Sequence, residues 1–196
     1  AVIELIGVTI TPDAGGITMN TAVGTKWGSG FPSLPATIAD NLVNGTNSIQ
    51  TITYEFEVSA SGFMGSSTQT AVVTVNPQPT MTITNTNTTI NSGTTTDILI
   101  NTPTQNGQVR LKSVINPAGI TGNTIVGALF PNGTTLQDIL VNSTTSPQSI
   151  TYEFEVIANG CVNGTTILAT VTVNPTPQMT VTNTAPTLCP LGSTNI

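Results

Sequence analysis

"TITYEFEV" spans Thr51 to Val58, and "SITYEFEV" returns at Ser149 to Val156 with its last seven residues unchanged. One strand written twice at a spacing of 98 residues marks copied modules, and a repeat of that length is sought before any fold is named. With the two-residue period of a strand, Ile52, Tyr54, Phe56 and Val58 fall on one side and Thr53, Glu55 and Glu57 on the other. This is the alternation of a half-buried strand. Tyr54 and Tyr152 are placed to fix a corner through their hydroxyls as well as to fill a core.

The repeat extends outward from that strand. "DNLVN" at Asp40 to Asn44 meets "DILVN" at Asp138 to Asn142, and "VTVNP" occurs at Val73 to Pro77 and again at Val171 to Pro175. Upstream, "GITMNTAVG" at Gly16 to Gly24 answers "GITGNTIVG" at Gly119 to Gly127, now 103 apart, so the first copy carries extra residues nearby. We assign "TKWGSG" to those extras. Trp27, the only tryptophan, is therefore expected on a surface loop that the second copy lacks.

Composition agrees with an all-β chain. Charged residues make up 6%, far below the usual quarter, and 40 Thr, 19 Asn and 18 Gly fill the difference. Thr suits a pleated surface; Asn and Gly supply turns. Net charge is −6, with Lys26, Arg110 and Lys112 the only cations, which leaves nothing to neutralise phosphates and excludes nucleic acid as a partner. No apolar run approaches the roughly 18 residues that cross a bilayer, so no membrane insertion by this segment is expected. The opening "AVIELIGVTITP" has no secretory-signal layout, and the chain reads as a piece of something longer.

In the second copy, turn-forming clusters separate seven expected strands at 80–84, 96–100, 108–115, 123–128, 135–141, 149–157 and 166–174. Seven strands in about 98 residues is the size and count of an immunoglobulin-like β-sandwich. Proline cannot donate to a strand ladder, so "NPQP" at Asn76 to Pro79 and "NPTP" at Asn174 to Pro177 should separate modules. The expected organisation is tandem immunoglobulin-like modules: 1–79, lacking its N-terminal strands; 80–177, complete; and 178–196, the start of a third.

The succession "GITGNTIVG", "LQDILVN", "SITYEFEVIANGCVNGT", "ATVTVNPTP" and "TVTNTAPTLCPLGST" resembles the PKD-like, immunoglobulin-fold repeats of very large surface adhesins of Bacteroidetes-type bacteria. The most specific parts are "YEFEVIANGC" with "VTVNPTP", the usual close of such a module, and "TLCPLGSTNI", similar to the usual opening of the next. The first copy departs from that pattern, with Phe63 and Asn91 where the cysteines would stand, and the aromatic often found in the third strand is missing around Leu111. The resemblance implies an extracellular or cell-surface stalk or adhesin, secreted or attached to the outer membrane of a Gram-negative cell. It implies export by the type IX route, with gliding-motility adhesins among its relatives.

Few residues invite chemistry. Cys161 and Cys189 are both replaced at the 98-residue offset, and this joint presence and absence favours a disulfide across the module boundary; the alternative is that each pairs outside the chain given. Either version needs an oxidising exterior. The pairs Glu55 with Glu57 and Glu153 with Glu155 lie side by side on one strand face, where a glycosidase would need them across a cleft, so they read as a solvated face. Asp40 and Asp138 recur in phase and are the candidates for a weak calcium site, although no DxDxDG-like loop is present; no other cofactor is expected. The chain has no His, and neither cysteine has a neighbouring base, so an enzyme is not expected. "NGT"-type sequons at Asn44, Asn132 and Asn163 carry no signal, since Asn-x-Thr triplets are expected by chance in so Asn- and Thr-rich a chain.

Three functional readings follow. The leading one is a structural stalk whose partners are neighbouring modules of the same chain. The others are a module in which Trp27 binds a surface glycan or protein, and a subunit that self-associates laterally through its charge-poor strand edges.

Overall fold

The structure is a computed structural model describing residues 1–32, 35–61, 63–65, 67–184 and 187. It is all-β, with an immunoglobulin-like β-sandwich. Seven strands precede residue 80: β1 (Val2–Thr11), β2 (Ile17–Thr18), β3 (Lys26–Gly28), β4 (Val43–Asn44), β5 (Gln50–Ala60), β6 (Phe63–Met64) and β7 (Gln69–Val75). Eleven follow: β8 (Thr82–Asn85), β9 (Thr89–Asn91), β10 (Thr94–Thr95), β11 (Ile98–Asn101), β12 (Gly107–Ile115), β13 (Ile120–Thr121), β14 (Leu129–Pro131), β15 (Thr134–Leu136), β16 (Ile139–Asn142), β17 (Gln148–Ala158) and β18 (Cys161–Asn174).

In the second module the sheet β14-β12-β17-β18-β9 faces the sheet β15-β11-β8, and β16 ties β10 and β13 to the rim. The alternation that opened the sequence sets the core between them. Ile150, Tyr152, Phe154 and Val156 of β17 all point inward, and Ile98 and Ile100 of β11 meet them from the other sheet. Packing both faces against each other removes each side chain from water, worth about 1.5–3 kcal/mol apiece.

The first module carries the same main sheet, β3-β1-β5 with β6 and β7 on the far edge of β5, in the same register. Leu5 lies opposite Phe56 and Leu111 opposite Phe154, and each ladder slips one residue next, at Ile6 and at Lys112. Its core is smaller: Leu5, Ile17, Ile52 and Tyr54 are buried. Nothing among the described residues stands where β8, β9 and β11 stand in the second. Identical positions therefore differ in exposure: Val156 is 1% exposed and its counterpart Val58 44%; Val171 is 0% and Val73 42%.

Two strand expectations need correction. Residues 123–128 form a turn: Gly127, at φ +92°, returns its N–H to the Leu111 carbonyl, leaving Ile125 and Val126 exposed. The β-branched pair mimicked a strand with no neighbour to pair with. The expected strand at 135–141 is split into β15 and β16 at Gln137 and Asp138, where the carboxylate of Asp138 turns inward. The short β9 was not expected at all.

Trp27 also moves. It lies in β3, opposite Ile3, and Phe130 occupies the same place in β14 opposite Val109. The rings pack alike: Trp27 on Phe56 at 6.3 Å and Phe130 on Phe154 at 6.2 Å. The 103-residue offset runs on through Trp27, so the residues of the first copy that shorten it to 98 come after that ring.

Candidate functional site

The in-phase acids, Asp40 and Asp138, are each held by a threonine and a tyrosine. In the first module Thr21 donates its N–H to Asp40 Oδ2 (2.7 Å) and its hydroxyl to Oδ1 (2.6 Å), and Tyr54 donates its hydroxyl to Oδ2 (2.6 Å). In the second, Thr124 and Tyr152 hold Asp138 at 2.7, 2.6 and 2.7 Å in the same way. Burial alone would push the Asp40 carboxyl up, but the donors from Thr21 and Tyr54 outweigh it and hold the group below its ordinary value. Burial pushes both tyrosine hydroxyls well above theirs, and the adjacent carboxylate adds to the effect. This clamp is what the structure shows at the two calcium candidates. Among the described residues no group of three or more His, Cys, Asp or Glu is placed to hold a metal.

The paired glutamates are not a uniformly solvated face. Arg110 donates Nε to Glu155 Oε1 at 2.6 Å and its Nη2 also reaches that oxygen, leaving Glu155 buried. Lys112 and Ser113 hold Glu153, at 3.3 and 2.6 Å. In the first module Lys26 pairs with Glu4 at 2.9 Å, so all three cations of the chain are spent on strand carboxylates.

The module junction is hydrogen-bonded from both sides. Gln105 donates its N–H to the Asn47 carbonyl (2.8 Å) and accepts from the Ile49 N–H on Oε1 (2.8 Å). Asn76 Nδ2 donates to the Asn159 carbonyl (3.2 Å), and Asn163 Nδ2 to the Pro79 carbonyl (2.8 Å). Asn106 and Asn159 sit in the left-handed region at φ 58° and 52° and bond each other at 3.0 Å, which aims both loop tips at the first module. Pro77 and Pro79 are buried there, whereas their counterparts Pro175 and Pro177 are half-buried and exposed. Sequence reasoning marked these prolines as boundaries but missed Gln105 and Asn159; their place beside left-handed turn positions was the available signal.

An open groove of about 600 Å³ lies on the first module, walled by Ile3, Trp27, Ile38, Phe56, Val58 and Gln69. The matching region of the second module has shrunk to about 150 Å³, because Thr80 and Met81 enter it beside Val156, Thr165 and Ile167.

The remaining candidates are quickly placed. Cys161 is exposed at the start of β18, and Cys189 lies outside the described residues. The side chains of Asn44 and Asn163 donate to backbone carbonyls, and Asn132 accepts from the Thr102 N–H.

Residues 107–177 match the family model of the PKD-like domain. The match runs from β12 to the prolines after β18, the stretch whose counterpart in the first module runs from β1 to Pro79. No curated protein matches the chain. Among the described residues no helix is long and apolar enough to cross a membrane.

Proposed function

We propose that this chain is a stalk segment of a large repetitive extracellular protein, with PKD-like modules joined end to end. The observation that carries the reading is the junction. Hydrogen bonds between Gln105, Asn159 and Asn163 on one side and Asn47, Ile49, Asn76 and Pro79 on the other fix one module against the next, which a spacer needs and a flexible linker would lack. An extracellular setting accords with the PKD-like match; a surface adhesin of the gliding-motility type, exported by the type IX route, is the finer form of the same proposal. The role is mechanical and geometric and requires no enzyme activity.

Small-angle scattering tests it. Gln105→Ala combined with Asn76→Ala and Asn163→Ala removes three of the four junction bonds, leaving only that from the Gln105 N–H to the Asn47 carbonyl, and should broaden the distribution of distances between modules while each module still melts cooperatively. A scattering profile that does not change would remove the junction as the source of stiffness.

The competing reading, a module that binds a surface glycan or protein through Trp27, is favoured by the position of that ring on the groove wall. The rest of the lining is mostly apolar, with Glu57, Ser67 and Gln69 the polar residues in it, so a sugar would find few hydrogen-bond partners there.

A further inference from the structure

Asn followed by Gly occurs at Asn44, Asn106, Asn132, Asn159 and Asn163. Such a pair is open to a reaction of its own backbone. The glycine nitrogen attacks Cγ of the asparagine and closes a five-membered succinimide, and with no Cβ beside it that approach is unhindered. The nitrogen must be free to react, and here the five pairs part. The N–H of Gly45 donates to the Gly16 carbonyl (3.0 Å), that of Gly107 to Thr104 (2.9 Å) and that of Gly133 to Ile100 (3.0 Å). Gly164 lies within β18, between the paired residues Val162 and Thr166. Gly160 is exposed at a turn tip, its N–H meets no acceptor among the described residues, and nothing lies within 4 Å of where a Cβ would stand. Asn159 and Gly160, at φ 52° and 78°, are the central residues of the tight turn from β17 to β18 that the pairing of Ala158 with Cys161 closes. Asn159 Oδ1 accepts from Asn106 Nδ2 at 3.0 Å, which aims a donor at the oxygen that gathers negative charge as the ring forms. Asn159 Nδ2 donates to the Gln105 carbonyl at 3.1 Å, and Gln105 is the residue that holds Asn47 and Ile49 across the junction.

We propose that Asn159 is a site of spontaneous, one-way deamidation that loosens the contact between the two modules. The bond from the Gly160 nitrogen to Asn159 Cγ forms, the bond from Cγ to Nδ2 breaks, and the amide leaves as ammonia. Water then opens the ring at either carbonyl, giving an aspartate or an isoaspartyl link in which the backbone runs through Cγ. One water is consumed and one ammonia released, and nothing is oxidised or reduced. Both products take the Nδ2 donor away from the Gln105 carbonyl and set a carboxylate in a contact made otherwise of uncharged groups. The chain's three cations are already held by Glu4, Glu153 and Glu155, so none compensates the new charge. The isoaspartyl link also lengthens the turn that carries the Asn159 carbonyl to Asn76. The proposal goes beyond the stalk reading, since it concerns the contact itself, whatever that contact serves.

Incubation of the 196-residue chain in mildly alkaline buffer, followed by peptide mapping that localises each lost amide by mass, tests the site. Asn159 should convert about tenfold faster than Asn44, Asn106 or Asn132, the factor by which having to break one hydrogen bond holds the other glycine nitrogens back. Small-angle scattering on the same samples tests the consequence. The distribution of distances between modules should broaden as Asn159 converts, and Asn159→Asp should show the broadening from the start. Asn159→Gly keeps the left-handed backbone and has no amide to lose, so its distribution should not change over the same time. Conversion of Asn159 no faster than that of the other three overturns the proposal, and mass mapping reads this whether or not the junction is stiff. So does a distribution that stays as it was once Asn159 has converted, or one that broadens with time in Asn159→Gly as much as in the unchanged chain.

Discussion

The Asp–Tyr–Thr clamp is the feature whose chemistry is most readily tested. Tyr152→Phe leaves a buried carboxylate short of one donor and should cost about 1–3 kcal/mol, read as a fall in the melting temperature. Tyr54→Phe should act in the same direction on the first module. The clamp also sets a pH window. Unfolding frees Asp40 from the donors that hold its carboxyl below 3.8, so the unfolded chain binds protons first and stability falls as pH drops through that region. The tyrosines act at the other end: their ordinary value is 10.0 and folding raises it, so the unfolded chain loses those protons first and stability falls above about pH 10. A plateau between these limits in pH-dependent thermal melts is the expected result; an alkaline limb unchanged by Tyr152→Phe together with Tyr54→Phe would sink this account. The recurrence of Asp40 and Asp138 was legible in the sequence. Their donors were harder to see, because Thr21 and Thr124 are two among 40 Thr and lie at a different offset from the acids.

Strands were legible where both faces have a role. In β17 the inward side is apolar and the outward side polar along most of its length, so the period of two showed through, and β12 and β18 were found for the same reason. Short elements were not. β9 is three residues, and its place comes from a parallel pairing with the end of β18, a contact between residues 83 apart that no local pattern encodes. Ile125 and Val126 failed in the opposite direction: strong strand formers in a turn that a glycine dictates. Trp27 was misplaced because its partner in the repeat is a phenylalanine, and the likeness only becomes plain when Ile3 and Val109 are laid opposite the two rings. The groove could not have been read from one module alone, since it is defined by what fills its copy.

Within residues 1–196, unequal burial in the two modules predicts unequal stability. The second module buries a continuous core across two sheets, while the first leaves Val58 and Val73 part-exposed on one. Backbone amides of β12, β17 and β18 should therefore exchange at least tenfold more slowly than those of β1, β5 and β7, as hydrogen–deuterium exchange can measure. Equal protection in both would mean that the main sheet alone supplies the stability.

The parallel contact of β9 with β18 has a further consequence for a chain that spans a distance. Thr172 donates its N–H to the Thr88 carbonyl and Ser92 donates to that of Asn174, both at 2.9 Å, so the second module's first and last segments are laced side by side and run the same way. Tension applied to the two ends draws these segments past each other lengthwise, and the bonds must yield together rather than one after another. The second module should thus resist pulling far more than its melting temperature suggests, and Thr89→Pro beside the lacing should lower its rupture force in single-molecule stretching much more than it lowers thermal stability.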